Sequence, residues 1–332
     1  MLKRIAVLGA GAWGTALAQI VTLAGGRASL WARDPALVDS LNSRHSNDRY
    51  LPGLDLDPSI RASSHLEEAL ESVDAVLLAT PAQSLREVAE RLRALLPQGC
   101  PMVICAKGIE RGSGKLPSQV LGETLPGHPL AVLSGPTFAA EAARGLPTAV
   151  TLACRDKLTA SRLAGTLASI SFRPYLSDDP HGAEIGGALK NIVAISCGIV
   201  EGRGLGQNAR AGLITRGVAE MARLGAHLDA RRETFMGLSG LGDLTLSCTS
   251  SASRNYSLGQ ALGQGRSLSD ALAASRGVTE GVYTAEAAVL LARRLGVDLP
   301  IAAAVDSVLN RGADLEQTIS AMLSRPLKQE TA

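Results

Sequence analysis

The feature that most constrains this chain is a glycine-rich turn placed close to its first residue. The apolar run 5–8 ends at Gly9, and Gly11 and Gly14 follow with the spacing G-x-G-x-x-G. In a Rossmann turn the first glycine makes the tight bend, the second lets the backbone approach a pyrophosphate, and the third lets the helix pack on the strand. Ordinary turns can show the same spacing, but here the apolar helical pattern 13–23 follows at once, with its positive end at the turn. The turn therefore predicts dinucleotide binding.

Length and composition exclude several classes of protein. At 332 residues and 46% hydrophobic content, the chain can fill the cores of two domains. The net charge is only +2 and the basic residues are scattered, so we expect neither a nucleic-acid track nor a membrane-surface face. No uninterrupted apolar run reaches the roughly 18 residues of a membrane span, and we expect no signal peptide. Five cysteines without C-x-x-C pairing favour buried, reduced thiols and a cytoplasmic location.

Strand and helix patterns alternate in the first half of the chain. The segment 74–80 is almost wholly apolar, as expected of a parallel strand buried on both faces. The polar segment 44–58 is expected to be irregular. Further strands are predicted at 27–31, near 60, and at 102–108, 130–134, 147–153 and 172–175, and helices at 65–72, 84–96 and 157–169.

From residue 179 onward the pattern is helical, without convincing strands. Helices are predicted at 180–201, 208–224, 253–263, 268–274, 279–295, 301–310 and 315–324, and fraying at 328–332. The chain is thus predicted to form an α/β Rossmann-type doubly wound domain over 1–179, followed by an all-α substrate and catalytic domain over 180–332.

Polar side chains stand at the ends of two predicted strands. Lys107 ends the strand 102–108, and Thr137 follows the strand 130–134. Open parallel sheets bind ligands outside the carboxyl ends of their strands, so both residues are expected on the ligand side. A solvated lysine and a helix-capping threonine are the alternatives.

The residues after the second strand bear on the choice of cofactor. An acidic residue at this place usually holds the ribose 2′-OH of NAD, whereas an arginine suits the 2′-phosphate of NADP. Arg33 favours NADP, and the adjacent Asp34 leaves NAD open. A solvated surface arginine is a third interpretation.

The first helix of the second half carries Lys190 among small and apolar residues. Gly186, Gly187 and Ala194 lie three or four positions from it, so its surroundings on the helix are free of bulk. A flat ligand is expected to approach there. The alternative is tight helix packing, with the lysine extended toward solvent.

Further along the chain, a glycine-rich stretch predicted to be a loop, 237–243, ends at Asp243. Ser253, Arg254 and Asn255 follow shortly after, directly ahead of a predicted helix. Their hydroxyl, guanidinium and amide groups would form an anion cradle beside the helix N-terminus. A capped surface helix with a solvated arginine is the ordinary alternative.

Taken together, these stretches closely resemble the bacterial NAD(P)-dependent glycerol-3-phosphate dehydrogenases. The shared motifs are Gly-Ala-Gly-Ala-Trp-Gly14, Cys-Ala-Lys-Gly108, Ser-Gly-Pro-Thr-Phe138, Leu-Lys-Asn-Ile192, Gly-Leu-Gly-Asp243, Ser-Arg-Asn255 and Val-Thr-Glu280. The resemblance implies a dehydrogenase that uses NADP(H) and/or NAD(H) for the reversible reduction of dihydroxyacetone phosphate, a phosphorylated triose, to sn-glycerol 3-phosphate. It also implies a homodimer whose product feeds glycerophospholipid synthesis.

The resemblance further implies roles for single residues, with Lys190 as the catalytic acid/base. The implied substrate-binding residues are Lys107, Gly135, Thr137, Lys190, Asp243, Ser253, Arg254 and Asn255. The implied cofactor-binding residues are Gly9, Gly11, Ala12, Trp13, Gly14, Arg33, Lys107, Ala139, Arg254, Val278 and Glu280. No metal is expected, because no His, Cys or Asp cluster has ligand spacing.

A lysine suits this chemistry, because reduction of a ketone leaves negative charge on an oxygen that must be stabilised and protonated. A nearby Lys107 would lower the pKa of Lys190 and Asp243 would raise it, and the sequence leaves the balance open. A Rossmann domain followed by a Lys-Asn helix also resembles the 3-hydroxyisobutyrate and 6-phosphogluconate dehydrogenases. A nucleotide-binding sensor without catalysis is a further interpretation, against which the lysine and the anion cradle argue.

Overall fold

The computed structural model describes residues 2–275, 277–326 and 329, and their first half forms an eight-stranded sheet with a small separate hairpin. The strands are β1 (Arg4–Leu8), β2 (Arg27–Trp31), β3 (Ser46–Asn47), β4 (Leu51–Asp55), β5 (Arg61–Ser63), β6 (Ala75–Leu78), β7 (Met102–Ile104), β8 (Leu130–Ser134), β9 (Thr148–Cys154) and β10 (Phe172–Ser177). The sheet has the order β10-β9-β8-β7-β6-β1-β2-β5, and β3 and β4 form the hairpin. Within the sheet β9 runs antiparallel to β8, while the other neighbouring pairs are parallel.

Helices cover both faces of this sheet, which confirms the predicted Rossmann-type fold. Successive residues of β1 point to opposite sides: Ile5 and Val7 belong to one apolar core, and Ala6 and Leu8 to the other. Strands buried on both faces need apolar residues at every position, which explains the continuous apolar runs. The helices of this half are α1 (Ala12–Leu23), α2 (Pro35–Arg44), α3 (Leu66–Ala69), α4 (Leu85–Leu92), α5 (Pro117–Thr124), α6 (Ala139–Ala143) and α7 (Lys157–Leu167), with a 3-10 turn at Ala82–Ser84.

The second half consists of helices around a central one, α8. Its helices are α8 (Pro180–Gly202), α9 (Gly206–Ala226), α10 (Arg232–Met236), α11 (Asp243–Cys248), α12 (Arg254–Gly263), α13 (Leu268–Ala273), α14 (Glu280–Leu295), α15 (Pro300–Arg311) and α16 (Leu315–Leu323). By length and composition α8 is apolar enough to cross a membrane, but 94% of its apolar window is buried inside the protein. It is therefore a core helix. It begins where Asp179 caps it, accepting a hydrogen bond from the backbone N–H of Gly182 (2.9 Å).

The change from strands to helices lies between Ser177 and Pro180. Among the described residues no strand follows β10, as the sequence predicts. That 1–179 and 180–332 are two domains stays a proposal. Of the tail 328–332, for which fraying is predicted, only residue 329 is described.

The segment 44–58 departs from its prediction, because much of it forms the β3–β4 hairpin. Its polar residues are engaged in tertiary hydrogen bonds. Asn47 is fully buried and donates hydrogen bonds to the Ala10 carbonyl oxygen (3.0 Å) and to the Thr15 hydroxyl (2.7 Å). These bonds fasten the hairpin to the glycine-rich turn, and a local sequence pattern does not reveal them.

The prediction of a loop at 237–243 is also wrong. Most of it forms a π-helical turn, Leu238–Gly242, between α10 and α11. Glycine lets this turn lie directly on other backbone, since a Cβ on Gly240 would come within 2.5 Å of Cα of Phe235. Helices α2, α5, α6, α10 and α11 have no counterpart in the sequence predictions, and the strand predicted at 102–108 already ends at Ile104.

Candidate active site

The centre of the candidate site is a buried carboxylate held between two lysines. Oδ2 of Asp243 lies 2.6 Å from Nζ of Lys107, and Oδ1 lies 2.8 Å from Nζ of Lys190. The side chain of Asp243 is 1% exposed, whereas those of Lys107 and Lys190 are 16% and 12% exposed. The two ammonium groups therefore share one counterion while part of each side chain stays open to a ligand.

Elements from both halves of the chain bring these three charges together. Lys107 lies three residues after β7, at the carboxyl edge of the sheet, Lys190 lies in the middle of α8, and Asp243 is the first residue of α11. Ligands of open parallel sheets bind at this edge. The structure therefore places Lys107 on the predicted ligand side and brings Lys190 and Asp243 to it.

Gly186 and Gly187 make this convergence possible by close packing. A Cβ on Gly187 would lie 3.4 Å from Cγ of Lys107, and a Cβ on Gly186 would lie 2.5 Å from a carbonyl oxygen of the π-helical turn. Protein atoms therefore fill the space beside these two glycines, while the approach of a flat ligand to Lys190 stays a prediction. The alternative of tight packing is confirmed, but Lys190 turns inward to the carboxylate instead of reaching toward solvent.

Burial decides the proton affinity of Lys190. Burial lowers the pKa of Lys190, the charge of Asp243 raises it and that of Lys107 lowers it again, with a net result below the ordinary value of a lysine. Burial alone would raise the pKa of Asp243, but the two lysines outweigh it and hold that pKa below its ordinary value. At neutral pH Asp243 is thus a carboxylate, and Lys190 releases a proton more readily than a solvated lysine does.

Ser247 completes the surroundings of Lys190. Nζ of Lys190 donates a hydrogen bond to Oγ of Ser247 (2.8 Å), which is 2% exposed. The sequence reasoning misses this serine because it assigns no helix after Asp243. The available signal is the spacing of four residues, which places Asp243 and Ser247 on one face of α11.

Gly135 and Thr137 lie at the end of β8, beside Lys107. The carbonyl oxygen of Gly135 accepts hydrogen bonds from Nζ of Lys107 (3.0 Å) and from the hydroxyl of Thr137 (3.2 Å). Gly135 has φ +156°, and a Cβ there would lie 2.9 Å from Cα of Val150, so the position favours glycine. The N-cap residue of α6 is Phe138, so the helix-cap alternative for Thr137 is wrong.

Ser253 and Arg254 lie at the N-terminus of α12. Ser253 caps the helix by accepting a hydrogen bond from the backbone N–H of Tyr256, as the ordinary alternative expects. The guanidinium of Arg254 forms no hydrogen bond or ion pair within the described part of the chain. It lies beside the loop that precedes α14, where a Cβ on Gly277 would come within 2.7 Å of its Nη1. An unpaired guanidinium at a helix N-terminus is suited to an anion.

Asn255 lies in a buried row of amides. Its Nδ2 donates a hydrogen bond to Oδ1 of Asn191 (2.9 Å), and its Oδ1 accepts one from the backbone N–H of Gly281 (3.0 Å). Asn191 in turn donates to the carbonyl oxygen of Lys107 (3.1 Å). The oxygen of Asn255 is thus engaged inside the protein, and its second N–H has no partner among the described residues. Sequence reasoning gives no role to Asn191, although it directly follows Lys190.

The three glycines of the N-terminal turn have different surroundings. Gly9 has φ +111°, and a Cβ there would lie 2.9 Å from the backbone of Ala79. A Cβ on Gly14 would overlap the carbonyl oxygen of Gly9, so the helix packs tightly on the strand end. Gly11, the N-cap of α1, has no atom within 4 Å of its Cβ position and no side-chain cap. The helix N-terminus therefore keeps free amides beside an open space, as a diphosphate requires.

Trp13 and Glu280, two of the implied cofactor-binding residues, each carry a buried polar atom without a partner in the described part of the chain, which fits a bound dinucleotide. Within the described residues neither Nε1 of Trp13 nor Oε2 of Glu280 has a hydrogen-bond partner, although both are buried. Ala12 and Trp13 share an apolar cluster with Ala139. Glu280 accepts a hydrogen bond from the backbone N–H of Ala82 (3.1 Å), and burial raises its pKa to about 6.

Arg33 and Asp34 differ in the hydrogen bonds and ion pairs that their side chains form within the protein. Arg33 is exposed and has no partner among residues 2–275 and 277–326. Asp34 caps α2 by accepting a hydrogen bond from the backbone N–H of Ala36 (3.0 Å), and its other oxygen lies 3.2 Å from Arg49. The side chain of Arg33 is thus available to a ligand, whereas that of Asp34 is held by other residues.

Val278, another implied cofactor-binding residue, is partly exposed and lies two residues before Glu280.

Within the described residues no cysteine or histidine side chain forms a hydrogen bond or ion pair with Lys107, Lys190 or Asp243. All five cysteines are unpaired and buried, as the composition predicts. Over the described ranges no group of three or more His, Cys, Asp or Glu side chains could hold a metal ion.

A Rossmann-type sheet with a glycine-rich turn and a buried lysine at its carboxyl edge are features of the dinucleotide-dependent dehydrogenases. The family model of the NAD-dependent glycerol-3-phosphate dehydrogenase N-terminus matches residues 4–160, and that of the C-terminus matches residues 179–320. The chain therefore belongs to the NAD-dependent glycerol-3-phosphate dehydrogenases.

Curated relatives match over 99% of the chain, which confirms the resemblance to the glycerol-3-phosphate dehydrogenases drawn from the motifs. Glycerol-3-phosphate dehydrogenase (NAD(P)+) of Rhodospirillum rubrum is 56% identical over 99% of this chain and 95% of that protein. The protein of the same name from Parvibaculum lavamentivorans is 53% identical over 99% of this chain and 98% of that protein. A crystal structure of glycerol-3-phosphate dehydrogenase from Coxiella burnetii has a TM-score of 0.94 at 38% identity, covering 98% of this chain and 99% of that one.

Proposed function

We propose that the chain catalyses the reversible, NAD(P)H-dependent reduction of dihydroxyacetone phosphate to sn-glycerol 3-phosphate. The observation that carries the proposal is the contact of Lys190 with Asp243 at the carboxyl edge of the sheet. A buried lysine of lowered pKa there can exchange a proton with a substrate oxygen near neutral pH. The unpaired Arg254 supplies a positive charge suited to a phosphate.

Lys190 is the proposed proton donor. In the direction of reduction its ammonium group stabilises the negative charge that develops on the carbonyl oxygen and then protonates that oxygen. In the direction of oxidation the neutral amine accepts the proton of the C2 hydroxyl. Asp243 and Ser247 hold Nζ in place through bonds of 2.8 Å each.

Lys107 is proposed to bind the substrate as a second cation. Its Nζ is fixed by Asp243 and by the carbonyl oxygen of Gly135. Two positive charges around one carboxylate leave the site with a net positive charge, which attracts the phosphorylated substrate. Gly135 and Thr137 are proposed to line the same side of the substrate.

Arg254 is proposed to hold the substrate phosphate, together with Ser253 and the amide groups at the N-terminus of α12. A dianion needs more than the partial charge of a helix end, and a guanidinium supplies a full charge with paired N–H groups. The free N–H of Asn255 is proposed to contribute one further hydrogen bond. Arg254 also lies near Glu280, so it would contact the cofactor as well.

The proposed dinucleotide site begins at the turn of Gly9, Gly11 and Gly14. The diphosphate would lie over Gly11, and the unpaired polar atoms of Trp13 and Glu280 would contact the cofactor. Ala12, Arg33, Lys107, Ala139 and Val278 are proposed to line the rest of the site. Bound nicotinamide supplies the hydride, and the protein supplies binding, orientation and the proton. Because Arg33 is unpaired while Asp34 is engaged, we propose a preference for NADP(H).

A spectrophotometric assay tests the proposal. Protein, NADPH and dihydroxyacetone phosphate are mixed, and oxidation of the nicotinamide is followed by its absorbance. We expect turnover that depends on both compounds. Turnover with 3-hydroxyisobutyrate or 6-phosphogluconate and NADP+, but not with the triose phosphate, would favour the rival dehydrogenases. Nucleotide binding without turnover of any of these compounds would indicate a sensor.

The reaction is proposed to take place in the cytoplasm. Five unpaired, buried thiols suit a reducing cytoplasm, where the product would serve glycerophospholipid synthesis. The homodimer is proposed from the family resemblance alone. Light scattering of the purified protein at micromolar concentration distinguishes a dimer from a monomer.

A further inference from the structure

Helices α8 and α12 lie side by side and run in the same direction. Facing positions keep one constant sequence separation over two helical turns, which requires parallel helices in a fixed register. The facing pairs are Asn191 and Asn255, Ile195 and Gly259, and Ile199 and Gly263, each 64 residues apart.

The contact between these helices is made by four glycines, two on each helix, which we call the glycine seam: Gly198, Gly202, Gly259 and Gly263. The atoms they face are main-chain atoms of the other helix. A Cβ on Gly263 would lie 2.6 Å from the carbonyl oxygen of Ile199, and a Cβ on Gly198 would lie 2.7 Å from the backbone nitrogen of Gln260. A Cβ on Gly259 would overlap the carbonyl oxygen of Ile195. The backbones therefore touch without intervening side chains.

An ordinary helix pair does not need this arrangement, because side chains fill the space between packed helices. Glycine is also less favourable than alanine inside a helix. Four glycines at one contact therefore indicate that the close approach itself is required. The seam lies directly behind the first turn of α12, which carries Arg254, and about two turns along α8 from Lys190.

We propose that the glycine seam is a positioning device that sets the register between Arg254 and Lys190. The proposal rests on the proposed function, in which Arg254 holds the phosphate and Lys190 the carbonyl oxygen of one substrate molecule. Covalent bonds fix the distance between these two substrate groups, so the two helices must keep a matching separation. A misplacement of about 1 Å can cost on the order of a hundredfold in rate.

Gly259→Ala tests the proposal, because the new methyl group would push α12 away from α8 close to Arg254. The matched control is Gly212→Ala in α9, where a Cβ has no neighbour within 4 Å. The measured quantity is the ratio of kcat/KM for dihydroxyacetone phosphate to kcat/KM for unphosphorylated dihydroxyacetone. We expect this ratio to fall about tenfold or more in Gly259→Ala and to keep its wild-type value in Gly212→Ala. A smaller fraction of folded enzyme would lower both constants equally and leave the ratio unchanged.

A second comparison establishes that the effect acts through the arginine. In an Arg254→Ala background the phosphate contact is already lost, so adding Gly259→Ala should leave the ratio where Arg254→Ala puts it. An unchanged ratio in folded Gly259→Ala would overturn the proposal. The same fall in both backgrounds would overturn it too, because the glycine would then act independently of Arg254.

If Gly259→Ala does not fold, Gly263→Ala is used for the same measurement. Its methyl group lies at the last residue of α12 and is less crowded. We expect a smaller fall of the same ratio. If neither variant folds, the seam is a requirement for folding and the positioning role is wrong. Failure of the wild type to reduce dihydroxyacetone phosphate would contradict the proposed function, whereas an active wild type with an unaffected ratio would contradict the seam alone.

Discussion

Nζ of Lys190 lies 2.8 Å from Oδ1 of Asp243, and both side chains are largely withdrawn from water. In this pair the charge of Asp243 opposes the burial that lowers the pKa of Lys190. The pKa of the proposed acid is therefore a balance in which Asp243 opposes both burial and the charge of Lys107, and a change in the carboxylate must shift the pH dependence of the reaction.

We expect Asp243→Asn to move the pH profile of Lys190 to lower pH. The substitution removes the charge that raises the pKa of Lys190 and leaves the burial that lowers it. Reduction needs the protonated lysine, so the limb on which kcat falls with rising pH should appear at lower pH in the variant. Oxidation needs the neutral amine, so its rising limb should move the same way. Profiles of kcat in both directions measure this; a shift to higher pH would contradict the role of Asp243.

The buried Glu184 should make the stability of the fold depend on pH. Its carboxyl group in α8 accepts hydrogen bonds from the backbone N–H (2.7 Å) and the hydroxyl (2.6 Å) of Ser118 in α5. Burial raises its pKa from 4.5 to about 7, and the bonds from Ser118 oppose this. Because the folded pKa lies above the unfolded one, the stability that Glu184 contributes is present below about pH 4.5 and lost as the pH rises through 7.

Glu184→Gln should remove this dependence, because glutamine keeps an acceptor for Ser118 without ionising. We expect the free energy of unfolding of the wild type, relative to the variant, to fall by up to about 3 kcal/mol between pH 4.5 and pH 7.5. Denaturant titrations of both proteins across this range measure it. A difference that stays constant with pH would show that Glu184 does not titrate in the folded protein.

Arg254→Ala should weaken the use of dihydroxyacetone phosphate much more than the use of unphosphorylated dihydroxyacetone. A charge-assisted bond to the phosphate is worth roughly 1.5–3 kcal/mol, or about ten- to over a hundredfold in specificity. Arg254→Lys should recover only part of the loss, because lysine brings charge without the planar fork. The ratio of kcat/KM for the two ketones in the three proteins measures this. Equal losses on both ketones would mean that Arg254 does not bind the phosphate.

Arg33→Ala should reduce the preference for NADPH over NADH. The exposed guanidinium of Arg33 is unpaired in the described chain, whereas Asp34 is held by the amide of Ala36 and by Arg49. A free guanidinium can pair with the 2′-phosphate that NADH lacks. Steady-state kcat/KM values for the two cofactors in wild type and variant provide the test, and an unchanged ratio would remove Arg33 from the site.

Features that depend on local spacing could be predicted from the sequence. The helix of Lys190 is predicted at 180–201 and spans Pro180–Gly202, because its start has the cap Asp179 and its body is continuously apolar. The strand 130–134 matches β8 for a similar reason: a buried strand needs apolar residues without interruption. The family resemblance implies a substrate-binding role for Asp243, which stays a prediction, whereas the start of α11 at this residue could not be predicted.

Features that depend on tertiary contacts could not be predicted in this way. The β3–β4 hairpin is held by the buried Asn47, whose side chain has the polarity of a surface residue. Ser247 and Asn191 receive their roles only when α11 and α12 pack against α8. The inward turn of Lys190 likewise depends on a carboxylate 53 residues away in the sequence.

The turnover of Lys190→Met at saturating dihydroxyacetone phosphate and NADPH tests the central claim most directly. Methionine keeps much of the length of the side chain but can neither donate a proton nor stabilise negative charge. Lys157→Met, at an exposed lysine in α7, is the matched control and should keep wild-type turnover. We predict that Lys190→Met binds NADPH nearly as wild type and that its kcat falls by about two orders of magnitude or more. Turnover close to wild type in Lys190→Met would contradict the assignment of Lys190 as the catalytic acid.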